Sequence, residues 1–132
     1  MAQIINCQLE KEKIIIMDEN LILNRSFDFA VQTVEVYKYL CNKREFVLSK
    51  QLLRSGTSIG ANVKEAMHGQ SRKDFLSKMN IALKEANETE YWIELLIETG
   101  YLTKEDSLKY LNNCKELCRI LGSIVKTTKS TI

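Results

Sequence analysis

The sequence has no proline, a single histidine and only five glycines in 132 residues. Proline costs about 3 kcal/mol inside a helix, so its complete absence suits a chain that is mostly helix interior. So few glycines argue against an all-β chain that turns tightly every few residues. Missing too is any run of the roughly 20 apolar residues that a bilayer crossing needs. Near the amino terminus Glu10, Lys11, Glu12 and Lys13 alternate where a signal peptide would be apolar. The four cysteines are Cys7, Cys41, Cys114 and Cys118, and none forms a CxxC pair. The step from Cys114 to Cys118 suits neighbours on one helix face, not a redox or zinc motif. Reduced cysteines, a cytoplasmic location and no membrane association are the expectation.

What is present fits one globular domain, long enough to bury a core without disulfide or metal staples. Hydrophobic residues make up 45% and charged residues 27% of the chain, an ordinary balance. The net charge is only +2, but the charges are segregated. From Lys43 to Lys84 nine basic residues face three acidic ones, whereas from Glu85 to Asp106 one basic residue faces seven acidic. Segregation of this kind steers partners or self-association.

Helical spacing divides the chain. Residues 1–19 read as an extension, a short strand or a disordered arm, because Ile4-Ile5 and Ile14-Ile15-Ile16 flank a charged stretch without a helical period. A first helix is expected from about Asn20 to Asn42, with Phe27, Ala30, Val31, Val34, Tyr37 and Cys41 on its buried face. A second runs from about Glu45 to His68 along Leu48, Leu52, Ile59, Val63 and Ala66, and Gly69 stops it. Gly56 and Gly60 inside it each cost about 1 kcal/mol relative to alanine, so they point to the close approach of another backbone. Ser71 with Asp74 three residues on opens a third helix that ends before Gly100. Its apolar positions are Phe75, Met79, Ala82, Ala86, Thr89, Trp92 and Leu96. Thr103, followed by Glu105 and Asp106, opens a fourth, carrying Leu108, Leu111, Cys114 or Lys115, Cys118, Leu121 and Val125. Residues 127–132 form a fraying tail. The fold class predicted is all-α: an antiparallel up-down-up-down four-helix bundle spanning residues 20–126.

One polar stripe on the second helix stands out. Gln51, Ser55, Ser58, Asn62 and Glu65 step by four, three, four and three, so they share a face beside the apolar seam. Small hydroxyls and amides next to two glycines suit an interface, within the bundle or between subunits; the plainer alternative is a solvated face. The basic set Lys43, Arg44, Lys50, Arg54, Lys64, Arg72, Lys73, Lys78 and Lys84 would neutralise phosphates if gathered on one surface. Scattered, it is ordinary bundle solvation. Glu65-x-x-His68 has the spacing of a di-iron ligand pair, but the second such motif is absent, so no metal and no cofactor are expected. No phosphate loop and no nucleophile beside His68 can be found, which predicts a non-enzyme. Trp92 reads as a core residue whose N–H needs a partner such as a hydroxyl of the second helix, and Glu85 and Glu88 as partners for Arg54 or Lys84.

The runs Ser26–Ala30, Gln51–Ala66 and Lys73-Asp74-Phe75 resemble bacterial four-helix bundle proteins of the 23S rRNA intervening-sequence type. So do Lys78-Met79, Ala82–Ala86 and Glu88–Trp92, and the resemblance spans about residues 20–126. It implies a homopentameric ring. It also implies kinship with accessory subunits of diversity-generating retroelements, whose basic surfaces bind nucleic acid and a reverse transcriptase. Two functions stay open: an oligomeric protein that binds RNA or DNA through its basic residues, with acidic stretches packed against basic stretches of neighbouring subunits, or an adaptor that binds a protein partner and no nucleic acid.

Overall fold

The computed structural model describes residues 2–132, apart from the side chains of Ile4, Ile14, Ile15, Ile16 and Asp18. The apolar clusters read at Ile4 and at Ile14 to Ile16 therefore lie outside the described residues. The described chain is all-α: α1 (Ala2–Asn42), α2 (Leu48–Met67), α3 (Arg72–Glu98) and α4 (Lys104–Thr131), with no strand among the described residues.

The first helix departs from expectation at both its start and its face. Its backbone is helical from Ala2, not from Asn20, so residues 2–19 form neither a strand nor a disordered arm. No glycine or proline interrupts residues 1–42, and Glu, Lys, Leu, Met and Gln are all good helix formers. Among the described side chains there, Ile5, Leu9 and Met17 are exposed and mark no buried face. Further on, the buried face is Ile22, Ser26, Phe29, Thr33 and Leu40, not the stripe through Phe27 and Val31, which are 68% and 49% exposed. The true face is hidden from a hydrophobicity count because it carries two hydroxyls. Each satisfies itself locally: Ser26 Oγ donates to the Leu23 carbonyl (3.2 Å), and Thr33 Oγ1 to the Phe29 carbonyl (2.9 Å). With the Thr33 hydrogen committed, Tyr110 donates its phenol to Thr33 Oγ1 at 2.7 Å, its ring stacked on Phe29 (4.7 Å between centroids).

Helix ends follow local chemistry. Ser71 and Thr103 accept from the N–H groups of Asp74 (3.1 Å) and Asp106 (3.2 Å), as their spacing predicts. Glu45 sits just ahead of α2 instead of inside it. Its buried carboxylate accepts from the N–H groups of Val47, Leu48 and Ser49 (2.8–2.9 Å), three of the donors that a helix start leaves unpaired. Burial disfavours that charge, yet the backbone donors outweigh it and hold the carboxyl below its ordinary range. α3 ends at Gly100 in the left-handed region (φ 85°), and α1 ends with Arg44 there (φ 62°). In both cases the next N–H reaches back to the final turn: Tyr101 to the Leu96 carbonyl, Glu45 to the Leu40 carbonyl.

α2 packs on α1 and α3, and α4 closes the set against α3 and α1. One core lies between them, including Ile22, Phe29, Leu40, Leu52, Ile59, Val63, Met79, Ile93, Leu96, Leu117, Leu121 and Ile124. In α4 the buried side runs Ser107, Tyr110, Cys114, Leu117 and Leu121, whereas Leu108 is 48% exposed, contrary to the expected face. α4 also continues through the expected tail to Thr131, with Thr128 buried.

Candidate functional site

The interior glycines of α2 face α1. A methyl at Gly56 would stand 2.7 Å from both Thr33 Cγ2 and Thr33 Oγ1, and one at Gly60 would stand 3.2 Å from the Ser26 carbonyl oxygen. The two helices therefore touch closely only because these positions lack a Cβ.

The polar stripe lies on the opposite flank of α2, toward α3. Ser55 is fully buried and its Oγ lies 2.9 Å from the Thr89 hydroxyl, which also donates to the Glu85 carbonyl. Ser58 and Asn62 are half-buried and bond their own helix, to the Arg54 and Ser58 carbonyls. Gln51 is exposed. Glu65 is exposed and pairs with Lys78 of α3 (2.8 Å). Beside the stripe, Arg54 bridges the Glu85 and Glu88 carboxylates of α3. Trp92, half-buried, donates its indole N–H to Glu88 (3.2 Å), so its partner is a carboxylate of its own helix and not a hydroxyl of α2.

The basic set lies on α2, on α3 and on the connection between α1 and α2. Lys43, Arg44 and Lys50 stand where α1 passes into α2, while Lys64, Arg72, Lys73 and Lys78 stand at the other end, where α2 passes into α3. Arg54 and Lys78 are held by acids, and Arg72 lies 3.7 Å from Glu19 and over the Phe75 ring. Burial pushes the Glu19 carboxyl up, against the pull of Arg72. Lys43 lies over the Tyr39 ring. Lys50, Lys64, Lys73 and Lys84 are exposed and make no salt bridge among the described residues.

His68 caps the end of α2 in an exposed position. Among the described residues no three His, Cys, Asp or Glu side chains are grouped as metal ligands. All four cysteines are free thiols, Cys114 buried. No helix among the described residues is long and apolar enough to cross a membrane.

The feature that sequence reasoning misplaced is an exposed apolar stripe. Leu23, Phe27 and Ala30 of α1 and Thr57, Gly60 and Ala61 of α2 line an open groove of about 530 Å³. Val31 continues the stripe along α1. Spacing groups Phe27, Ala30 and Val31 but takes their outward face for the core, and it does not include Leu23, which is half-buried against the core.

Residues 18–123 match the model of the 23S rRNA-intervening sequence protein family. The chain belongs to that family. A crystal structure from Bacteroides thetaiotaomicron VPI-5482, a protein of unknown function from the S23 ribosomal protein family, is 55% identical. It aligns over 83% of this chain and 98% of its own with a TM-score of 0.80. No match is found among curated proteins. Most of the α1 extension, residues 2–17, lies outside the family match.

Proposed function

We propose that this family member is a non-enzymatic, cytoplasmic subunit: an antiparallel up-down-up-down four-helix bundle that assembles as a homopentameric ring and contacts RNA or DNA phosphates. Support for the topology comes from pairings that run in opposite directions, Glu65 with Lys78 and Arg54 with Glu88. Support for assembly comes from the uncovered stripe at Phe27 and Val31, since contiguous exposed apolar surface marks interaction sites.

The observation that carries the nucleic-acid reading is the set of exposed lysines without acidic partners, Lys50, Lys64, Lys73 and Lys84. A monomer offers each end few cations; a ring repeats them around its axis. Retention of RNA at low salt that falls as a power of salt concentration is the expected result, and Lys64→Glu with Lys73→Glu lowers both affinity and the salt slope. No retention at low salt sinks the reading. The second reading, a protein adaptor, draws on the internal neutralisation of Arg54 and Lys78. It is favoured if a protein partner is captured whether or not nuclease is added. Solution mass decides the assembly, with about five chain masses expected for a closed ring.

A further inference from the structure

We propose that the amino-terminal extension of α1 is a docking arm. Residues 2–17 of one copy lie antiparallel in the α1–α2 groove of a second copy, which returns the same contact. The arm lies outside the family match, and the pairing joins copies that point in opposite directions. It is therefore a contact separate from the ring and goes beyond that reading.

Two apolar surfaces of the chain are uncovered. One is the groove at Leu23, Phe27 and Ala30, walled by Gly60 and Ala61 of α2. The other is the arm, where Ile5 is 57% and Leu9 49% exposed. Both lie on one face of one helix: Ile5 precedes Leu23, and Leu9 precedes Phe27, by about five turns of 3.6 residues. α1 is continuous from Ala2 to Asn42, so an arm cannot fold back into its own groove. A second copy brings the two surfaces together. A twofold axis midway between the pairs sets Ile5 of each copy against Phe27 of the other, and Leu9 against Leu23. Each contact then occurs twice, as an isologous interface requires. The arm gains most, because short helices standing alone are marginal in water.

Charge agrees with this register. Gly60 faces Ser26 and Gly56 faces Thr33, so α2 lies on the Ser26–Thr33 side of the α1 stripe. Lys64, one turn beyond Gly60, lines the groove with Leu23; it is exposed and makes no salt bridge among the described residues. Glu12 of the arm is two heptads before Ser26, so it stands on the same side of the stripe, and it too is exposed and without a salt bridge among the described residues. A twofold antiparallel pair brings like sides together. Glu12 of the second copy therefore comes over α2 within about a turn of Lys64. Glu19, the acid already on that side, is held by Arg72. The polar wall of the groove, Asn24 and Asp28, receives the other side of the arm, which carries Asn6 and Lys13. Val31 lies beyond Phe27 on the side away from α2, so the pairing takes the groove and leaves that part of the stripe to the ring.

The test is the solution mass of the whole chain and its variants, by sedimentation or native mass spectrometry. Ile5→Asp with Leu9→Asp changes only exposed side chains and is expected to halve the wild-type mass without changing the melting of the bundle. Glu12→Lys and Lys64→Glu should each weaken the pairing about tenfold, since the twofold counts every ion pair twice, and the two together should restore it. A role of Lys64 in folding or in phosphate binding would not be rescued by Glu12→Lys. Mass unchanged by the Ile5 and Leu9 substitutions, or no rescue by the exchanged charges, overturns the pairing. A wild type of about ten chain masses supports both pairing and ring, and one of two supports the pairing without the ring. A wild type of five overturns the pairing and leaves the ring, and a monomer overturns both.

Discussion

The two flanks of α2 are joined to their neighbours by different physics. Toward α1 the seam is made by an absence: Gly56 and Gly60 let the helices approach until Thr33 and the Ser26 carbonyl occupy the space of two missing methyls. Toward α3 the seam is bridged by polar groups, the Ser55–Thr89 hydroxyl pair inside and the Arg54 and Glu65 ion pairs outside. A close-packed seam has nowhere to put an added atom, whereas a bridged seam can replace a lost bond with water at its rim. The first should be intolerant of the smallest change and the second forgiving of larger ones.

Gly56→Ala breaks that contrast most directly. The new methyl meets Thr33, a β-branched side chain held by bonds to the Phe29 carbonyl and Tyr110, so it cannot swing away. Overpacking costs about 1–3 kcal/mol, and the expected loss lies near the top of that range despite the helix propensity that alanine gains. Denaturant titration measures it. Thr33→Ala strands the buried Tyr110 phenol and costs stability by itself, so the double variant should lose about 1 kcal/mol less than the sum of the two single losses. Gly60→Ala, whose methyl stands 3.2 Å from a carbonyl oxygen, costs less. Equal effects at the two glycines would show that α1 can back away as a whole and that the seam is not tight.

The glycine seam and the polar stripe are both legible in the sequence, as are the caps at Ser71 and Thr103, because each depends on residue types a few positions apart. The sequence does not show which neighbour each flank meets. Spacing puts Ser55 and Gly56 on α2 but carries nothing about α1 being on one side and α3 on the other. The face of α1 fails for a related reason: Phe27 and Val31 outscore Ser26 and Thr33 on hydrophobicity, yet only the small residues fit against the glycines. Burial there is decided by shape across a helix pair. Residues 2–19 fail differently: their backbone is helical, but the apolar side chains described there, Ile5, Leu9 and Met17, are exposed and set no burial period. For the basic residues, order along the chain cannot reveal that Arg54 is held by acids of α3 and Lys78 by Glu65 of α2 while Lys50 and Lys64 make no such pair.

Both seams depend on α2 starting in register, and Glu45 sets that start. Glu45→Ala strips acceptors from three N–H groups and is expected to cost about 1–2 kcal/mol, an effect second only to Gly56→Ala. The pH dependence has a definite sign. The folded carboxyl is held below its unfolded value near about 4.3, so its contribution is fully present above that pH and fades as pH falls through the lower folded value. The stability difference between wild type and Glu45→Gln should therefore be largest near neutrality and shrink in acid. A difference that is flat between pH 7 and pH 3 would mean that the cap does not depend on charge.

Within the bridged seam the buried bond should outweigh the exposed ones. Ser55→Ala removes one hydroxyl, but Thr89 keeps the Glu85 carbonyl and is not stranded, so a loss of about 1 kcal/mol is expected. Arg54→Ala is the smallest effect of the series. Its guanidinium is half exposed at 49%, and such pairs contribute about 0.2–1 kcal/mol at most, with Trp92 still bonded to Glu88 once the arginine is gone. Raising the salt to about 1 M, where the screening length falls to about 3 Å, should erase what difference remains. If Arg54→Ala instead costs as much as Gly56→Ala and resists salt, the α3 flank is held by its rim charges and not by its buried hydroxyls. The contrast between the two flanks of α2 would then be one of tolerance to volume alone.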